Sequence, residues 1–179
     1  MSEFILRHMT GADLPGVLAV QAQCYGDALL ESVAALESRL TLSPDTCWFA
    51  TRADGVPMAY LLTHAWPAAG LPALDGRLVR DWGADEPLVW FIHDLAVAPA
   101  GRGTGVAARL YAAAHAAARK LALTRSRLIA VQAAAPWWCR LGYAPVVAQA
   151  QYAAKLAAYG EAAVMMERCL ADGRDRRQD

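Results

Sequence analysis

The sequence predicts a single α/β domain built on a mixed sheet with helices on both faces. The chain has 179 residues, enough to bury a substantial core, and 56% of them are hydrophobic against 19% charged. Segments with strand and helix periodicity follow one another in the order βααβββαβαββ. We assign residues 1–171 to this domain and expect the polar tail 172–179 to fray.

The first half of the chain predicts a strand, two helices and a hairpin. The helices place apolar residues every three or four positions, whereas the strands are shorter runs of β-branched and aromatic residues. A turn sequence, Ala53-Asp54-Gly55, separates the two hairpin strands. The predicted strands are Phe4–His8, Cys47–Thr51 and Met58–Thr63, and the predicted helices are Leu14–Gln21 and Leu29–Leu40.

The second half predicts a central strand, a long helix and smaller elements that close the sheet. The central strand ends at Val97, and Ala-rich sequence with helical spacing follows from Thr104 to Leu121. Before this strand, Trp66–Pro87 lacks periodicity and is rich in Pro, Gly and Asp, so we expect an irregular segment that acts as a lid or an interface. The remaining predictions are strands at Arg127–Gln132, Val146–Val147 and Val164–Leu170 and a helix at Pro136–Arg140.

Composition and charge argue against several classes of protein. The formal net charge is zero, which gives no indication of a nucleic-acid partner, and no apolar run approaches the ~20 residues of a membrane span. The N-terminus lacks a basic stretch before an apolar core, so no signal peptide is predicted. The cysteines have no CxxC or CxH spacing, so we expect no metal site, and reduced thiols in a cytoplasmic protein.

The junction between the central strand and the long helix is the most informative stretch. Glycines stand at positions 101, 103 and 105, just before the helix begins. A strand, a glycine turn and a helix N-terminus in succession point several backbone N–H groups at one place, with the positive end of the helix dipole behind them. No Asp or Glu occurs between Leu95 and Gly160, where eight Arg and Lys residues lie, including Arg102 within the turn. The sequence therefore predicts a phosphate site here.

The same glycines match the dinucleotide fingerprint G-x-G-x-x-A over residues 103–108. That fingerprint requires an acidic residue ~20 positions further on to bind the ribose. No acid occurs until Glu161, and the nucleotide triphosphatase loop G-x-x-x-x-G-K-[ST] is absent. Both observations disfavour a nucleotide-binding fold.

Two motifs resemble those of a known family. Leu95–Ala107 resembles the acyl-CoA motif of the GNAT superfamily of N-acetyltransferases, [QR]-x-x-G-x-[GA] after a strand ending L-x-V-x-P. Trp137–Tyr143 resembles the family's second motif, an aromatic residue, two further residues and then Leu-Gly-Phe/Tyr. The resemblance covers the chain from about Phe4 to Leu170. It implies a GNAT-like, mostly antiparallel sheet with a splay between two central strands, acetyl-CoA as co-substrate and no metal.

The resemblance also implies which residues bind CoA. Backbone N–H groups of the turn would cradle the pyrophosphate, and main-chain groups of the preceding strand would reach the thioester and the pantetheine arm. Ala100 stands where the family usually has Gln or Arg, so we expect weaker local anchoring. The residues assigned to CoA are Leu95, Ala96, Val97, Arg102, Gly103, Thr104, Gly105, Val106 and Trp138.

The catalytic residues depart from the family's pattern. Many relatives carry a tyrosine acid four residues before the Gly of the second motif, and here that position is Trp138, whose indole N–H cannot act as an acid near neutral pH. His93 is the candidate base, because strand alternation predicts that it shares a face with Leu95; a structural histidine is the alternative. Alternation predicts Asp94 on the opposite face, in a structural role. Tyr25, between the first two helices, is a weaker candidate for the acid.

The sequence thus predicts an acetyl-CoA-dependent N-acyltransferase that moves an acetyl group directly to a primary amine. A non-catalytic acyl-CoA-binding or sensing module is the alternative, because Ala100 and Trp138 depart from the family's pattern. The acceptor stays open among a small amine, an amino acid, an antibiotic, a protein N-terminus and a lysine. The resemblance also makes a homodimer possible.

Overall fold

A computed structural model describes residues 4–131 and 133–170. They form a seven-stranded sheet in the order β1-β2-β3-β4-β5-β7-β6, and every neighbouring pair is antiparallel except β4 with β5. The strands are β1 Phe4–His8, β2 Trp48–Arg52, β3 Pro57–Pro67, β4 Leu88–Val97, β5 Arg125–Ala130, β6 Ala144–Pro145 and β7 Val164–Cys169. The helices are α1 Leu14–Cys24, α2 Val33–Leu42, α3 Val106–Lys120, α4 Ala135–Arg140 and α5 Ala153–Ala157. The predicted mixed, mostly antiparallel sheet is confirmed.

Helices cover both faces of the sheet, as predicted. On one face, α3 buries a stripe of residues four apart, Val106, Leu110 and Ala114, in a cluster with Trp90 and Ile92 of β4. On the other face, α1 and α2 bury a second cluster, which contains Val17, Val20, Leu36, Phe49 and Tyr60. No helix in the described part of the chain is long and apolar enough to cross a bilayer.

Several predicted bounds were wrong for identifiable reasons. Helix α2 begins at Val33 rather than Leu29, because the Ser32 side chain accepts a hydrogen bond from the Ala35 N–H and so caps the helix there. The closing strand predicted at 146–147 lies at 144–145, and Val147 is 96% exposed. Gln132 and the tail at 172–179 lie outside the described residues, and the domain bounds stay a prediction.

Strand β4 carries one residue more than β3 opposite it. Leu62 pairs with Asp94 while Thr63 pairs with Ile92, so His93 forms a β-bulge. The bulge turns His93 and Asp94 to the same face, the one covered by α1 and α2, where both side chains make hydrogen bonds. The prediction that His93 shares a face with Leu95 and Val97, opposite Asp94, is therefore wrong, because it assumed unbroken alternation. Both Leu95 and Val97 pack on the α3 side.

Strands β4 and β5 pair over only a short length. The parallel pairing joins Trp90, Phe91 and Ile92 to Ser126, Arg127 and Leu128. Beyond Ile92 both strands continue without pairing to each other. The predicted splay between two central strands is confirmed.

The connection between β3 and β4, residues 68–87, contains neither helix nor strand. The irregular segment was predicted to begin at Trp66, but Trp66 and Pro67 belong to β3 and pair with β4. Three positively charged side chains donate hydrogen bonds to backbone carbonyl groups of the connection. One comes from α2, one from β5 and one from α5. Arg39 binds Ala73, Leu74 and Gly76; Arg127 binds Ala68 and Gly70; Lys155 binds Leu71. The segment is therefore tied to the elements on either side of it.

Replacing Leu110 tests this account of the core. Leu110 is fully buried on α3, so Leu110→Ala should lower the free energy of unfolding by about 2–5 kcal/mol through lost burial and the cavity left behind. Leu121→Ala, at a 48% exposed residue that ends the same helix, should change it by less than about 0.5 kcal/mol. Urea denaturation measures both values, and equal losses in the two variants would contradict this assignment.

Candidate active site

A cavity of about 220 Å³ lies where β4 and β5 part. Its walls are β4 from Ile92 to Val97, the end of β5 and Trp138 of α4. Arg102 of the glycine turn lines it, as do residues of the loop between α1 and α2. A strand rises by ~3.3 Å per residue, so roughly 13 Å of cavity wall separates His93 from Val97. The cavity thus has a glycine-turn end and a His93 end.

The glycine turn forms the first end. Gly103 and Gly105 have positive φ angles of 75° and 82°, which favour glycine, and Thr104 Oγ1 donates a 2.7 Å hydrogen bond to the Gly101 carbonyl across the turn. A Cβ at Gly101 would lie 3.0 Å from the Met58 carbonyl oxygen, so a side chain there would collide with β3. Within the described residues, the N–H groups of Gly103 and Gly105 have no hydrogen-bond partner. They are free to bind an anion.

The structure brings the predicted CoA residues together. Five of them line the cavity, and the other four continue from Arg102 through the turn into the first residue of α3. Trp138 is 6% exposed and packs edge-on against the rings of Tyr111 and Tyr143, so its ring forms part of the cavity wall. The cavity-lining five are Leu95, Ala96, Val97, Arg102 and Trp138.

A buried carboxylate–imidazole pair forms the second end. The Nε2 atom of His93 lies 3.1 and 2.9 Å from the two carboxylate oxygens of Glu31, and the guanidinium of Arg39 lies 2.8 Å from one of them. All three side chains are at most 2% exposed. Burial raises the pKa of Glu31 to about 8, opposed by the charge of Arg39. Burial and the Arg39 charge hold the pKa of His93 well below its ordinary value, so its imidazole is neutral near pH 7.

Arg39 joins this pair to the 68–87 segment. Besides its ion pair with Glu31, it donates hydrogen bonds to the carbonyl groups of Ala73, Leu74 and Gly76, at 2.6 to 2.9 Å. Leu74 lines the cavity. The segment therefore contributes to the cavity wall, and one buried guanidinium binds its backbone.

Asp94 is at the centre of a second, partly buried network beside the first. Its carboxylate accepts hydrogen bonds from Tyr25 at 2.6 Å, from Tyr60 and from the side-chain amide of Gln21 at 3.4 Å. Gln21 also accepts from the backbone N–H of Glu31, which links the two networks. Burial raises the pKa of Asp94, and burial together with the Asp94 charge raises the pKa of Tyr25 well above 10. The hydroxyl of Tyr25, the candidate acid, is thus already engaged with a carboxylate.

Several buried polar atoms around the His93 end have no partner within the described residues, and two of them belong to residues that line the cavity. These two are His93 Nδ1 and the hydroxyl of Tyr159, which precedes β7; Arg39 Nε and His64 Nε2 belong to residues outside the cavity wall. Tyr159 lines the cavity beside Glu31, whose charge adds to burial in raising the pKa of the phenol. No group of three or more His, Cys, Asp or Glu side chains in residues 4–131 and 133–170 is arranged to hold a metal ion.

Sequence reasoning missed Glu31, Arg39 and Tyr159. A signal for Arg39 was present, because it stands between Leu36 and Leu40 on the apolar face of α2, and arginine is almost never fully buried without a partner. Glu31 and Tyr159 lie far apart in the chain, in segments without regular structure, and nothing in the sequence indicates that they meet.

The chain is similar to known proteins in sequence pattern and in fold. A model of the family described as Acetyltransferase (GNAT) family matches residues 15–143. No curated protein matches the sequence. At sequence identities below 20%, solved structures show a shared fold.

Three solved structures illustrate this likeness. The NatC complex bound to Gag peptide and CoA has a TM-score of 0.69 at 14% identity, covering 94% of this chain and 99% of that chain. The GphF GNAT-like decarboxylase in complex with isobutyryl-CoA has a TM-score of 0.68 at 19% identity, covering 93% and 100%. The ribosomal-protein-S18-alanine N-acetyltransferase from Escherichia coli has a TM-score of 0.63 at 13% identity, covering 99% and 100%.

Arg39→Met tests the buried network. The variant removes the donor of several backbone hydrogen bonds and leaves Glu31 without its cation, so the free energy of unfolding should fall by about 3–5 kcal/mol. Arg77→Met makes the same replacement at an exposed position of the 68–87 segment and should cost less than about 0.5 kcal/mol. Urea denaturation of both variants is the measurement. A loss below 1 kcal/mol for Arg39→Met would show that the network does not hold the segment.

Proposed function

The chain belongs to the GNAT acetyltransferase family, and we propose that it transfers an acetyl group from acetyl-CoA directly to a primary amine. The observation that carries this proposal is the cavity between the parted strands, which joins the glycine turn to the Glu31–His93 pair. Acetyl transfer needs an anion-binding site for the CoA phosphates and a proton acceptor for the amine, about the length of a pantetheine arm apart. Both ends of the cavity have the required chemistry.

At the donor end, the free N–H groups of Gly103 and Gly105 and the N-terminus of α3 would hold the pyrophosphate. Because that binding is to the backbone, Ala100 at the motif's first position weakens anchoring without removing it. The arm would then lie between β4 and β5. Since β4 does not pair with β5 beyond Ile92, N–H groups on that edge of β4 are available to the thioester oxygen as it gains negative charge.

At the acceptor end, the amine must lose a proton before it can attack the thioester carbon. We assign that proton to His93, whose Nδ1 has no partner in the described part of the chain and whose Nε2 is held by Glu31. The amine nitrogen then forms a bond to the carbonyl carbon, the carbon–sulfur bond breaks, and CoA leaves as the thiolate.

Protonation of the departing thiolate does not require Tyr25. A tyrosine whose pKa lies well above 10 is a weaker acid than a thiol, whose ordinary pKa is ~8.5, so proton transfer from Tyr25 to the thiolate would be unfavourable. The thiolate is a tolerable leaving group, and the second proton lost by the amine nitrogen can neutralise it. We therefore propose that Tyr25 positions Asp94 and the α1–α2 loop.

Release of free CoA thiol from acetyl-CoA in the presence of a panel of primary amines tests the function. We expect stoichiometric thiol release together with acetylated amine, identified by mass. Acetyl-CoA binding without turnover on any amine of a broad panel would contradict the proposal and would favour the acyl-CoA-binding or sensing role.

Gly103→Ala tests the donor end. The φ angle of +75° is unfavourable for alanine, and an altered turn would misalign the N–H groups, so CoA should bind at least about 10-fold more weakly by isothermal titration calorimetry. Gly55→Ala is the matched control, because Gly55 has a similar φ of +87° in the β2–β3 turn with open space around it. CoA affinity should be unchanged in the control. Equal loss in the two variants, or none in Gly103→Ala, would remove the turn from the CoA site.

His93→Gln tests the base. Protonation of His93 removes its lone pair, and since its pKa is lowered, kcat should fall only below about pH 6.5 in the wild-type protein. His93→Gln should lower kcat by about 100-fold or more and abolish that acid limb, with little change in KM for acetyl-CoA. His8→Gln, at an exposed histidine of β1, should behave as the wild type. If kcat of His93→Gln still falls as the pH drops below about 8, Glu31 and not His93 is the base.

A further inference from the structure

We propose that the acceptor is a small primary amine, held as its ammonium ion by Glu31, His93 and Tyr159. This rests on the proposed function for the fate of the amine, while binding of the ammonium ion can be measured independently. Neither Glu31 nor Tyr159 belongs to the two motifs that carry the resemblance, Leu95–Ala107 and Trp137–Tyr143.

Two residues of the cavity wall carry a buried polar atom without a partner. Within the described residues, His93 Nδ1 and the Tyr159 hydroxyl both lack a partner, and both residues line the same cavity as Glu31. A buried hydroxyl or imidazole nitrogen without a partner is unfavourable by ~1–3 kcal/mol. A ligand with several hydrogen-bond donors would satisfy both at once.

The three groups, Glu31, His93 and Tyr159, can all accept hydrogen bonds. With Glu31 ionised, His93 Nε2 carries the hydrogen and donates it to the carboxylate, so Nδ1 offers a lone pair. The Tyr159 oxygen and the Glu31 carboxylate also accept hydrogen bonds. An ammonium ion has three donors and no acceptor, which matches this set. A ligand hydroxyl could satisfy part of it but would bring no charge.

The charges at the His93 end also favour a cation. The buried carboxyl group of Glu31 and the partly buried one of Asp94 lie in the cavity wall, while the buried guanidinium of Arg39 pairs with Glu31 from outside that wall. Arg102, which does line the cavity, lies at the glycine-turn end. The raised pKa of Glu31 reports that Arg39 alone does not compensate for its burial. A second cation beside Glu31 would supply that compensation.

The volume of the cavity limits the size of the acceptor. The whole cavity is about 220 Å³, and the acyl end of the CoA arm must share it with the acceptor. Leu29 and Leu74 contribute apolar side chains to its wall. We therefore infer a small amine with a compact apolar substituent.

The reaction balances with these groups alone. The ammonium ion passes one proton to His93 Nδ1 and becomes the nucleophilic amine. Attack on acetyl-CoA forms the carbon–nitrogen bond and breaks the carbon–sulfur bond. The second proton of the nitrogen goes to the CoA thiolate, and His93 releases its proton to solvent as the product leaves.

Tyr159→Phe is the decisive variant, because the lost hydroxyl has no partner within the described chain and its removal breaks no hydrogen bond there. The probes are n-butylamine, isopentylamine and phenethylamine, with n-butanol as an uncharged comparison. Binding is measured by calorimetry on the CoA-loaded protein, and KM by thiol release. In Tyr159→Phe the amines should bind about 3–10-fold more weakly, while Tm without ligand should not fall. Tyr152→Phe, at a buried tyrosine in a separate apolar cluster, should change neither value.

Glu31→Gln completes the experiment by removing the charge while keeping the shape. It should abolish measurable amine binding. The site is overturned if none of the three amines binds, if n-butanol binds as well as n-butylamine, if Tyr159→Phe leaves amine affinity unchanged, or if an alanine-initiated tripeptide binds more tightly than all three amines. Amines that bind as expected but release no thiol would contradict the proposed function and leave the ammonium site in place.

Discussion

Strand β4 pairs with β3 along its whole length but with β5 over only part of it. The additional residue at His93 shifts the register against β3, and pairing with β5 ends one residue earlier, at Ile92. From that point β4 keeps one neighbour and exposes its other edge to a cavity. This change has two consequences for the candidate site. It leaves backbone groups of β4 unpaired and available to a thioester, and it turns His93 and Asp94 together toward α1 and α2.

That turn places the buried His93 and the partly buried Asp94 side by side, and the surrounding structure supplies partners for both. Tyr25, Tyr60 and Gln21 donate to Asp94, while Arg39 and His93 surround Glu31. Arg39 also binds the backbone of the 68–87 segment, which contributes to the cavity wall. The site and the segment are thus connected, because Glu31, which is proposed to bind an ammonium ion, pairs with the arginine that binds the segment.

The fold and the glycine turn could be predicted from the sequence, because both are encoded locally, while the binding of CoA at that turn stays a prediction. The glycines at 101, 103 and 105 lie close together in the chain and require only a strand before them and a helix after. The His93 end of the cavity depends on contacts between distant segments, such as Glu31 with His93, which no local pattern reveals. The error at His93 has a similar origin, since a bulge is set by pairing between strands and leaves the alternation of residue types unchanged.

The central claim is that the parting of β4 from β5 joins a CoA site to a buried proton acceptor. A crystal structure of the CoA complex tests it most directly. We expect the pyrophosphate at the N–H groups of Gly103 and Gly105, and the thiol sulfur in the gap between the strands, on the edge of β4 beyond Ile92. A pantetheine arm outside that gap, or a β4 that pairs with β5 as far as Val97, would contradict the account.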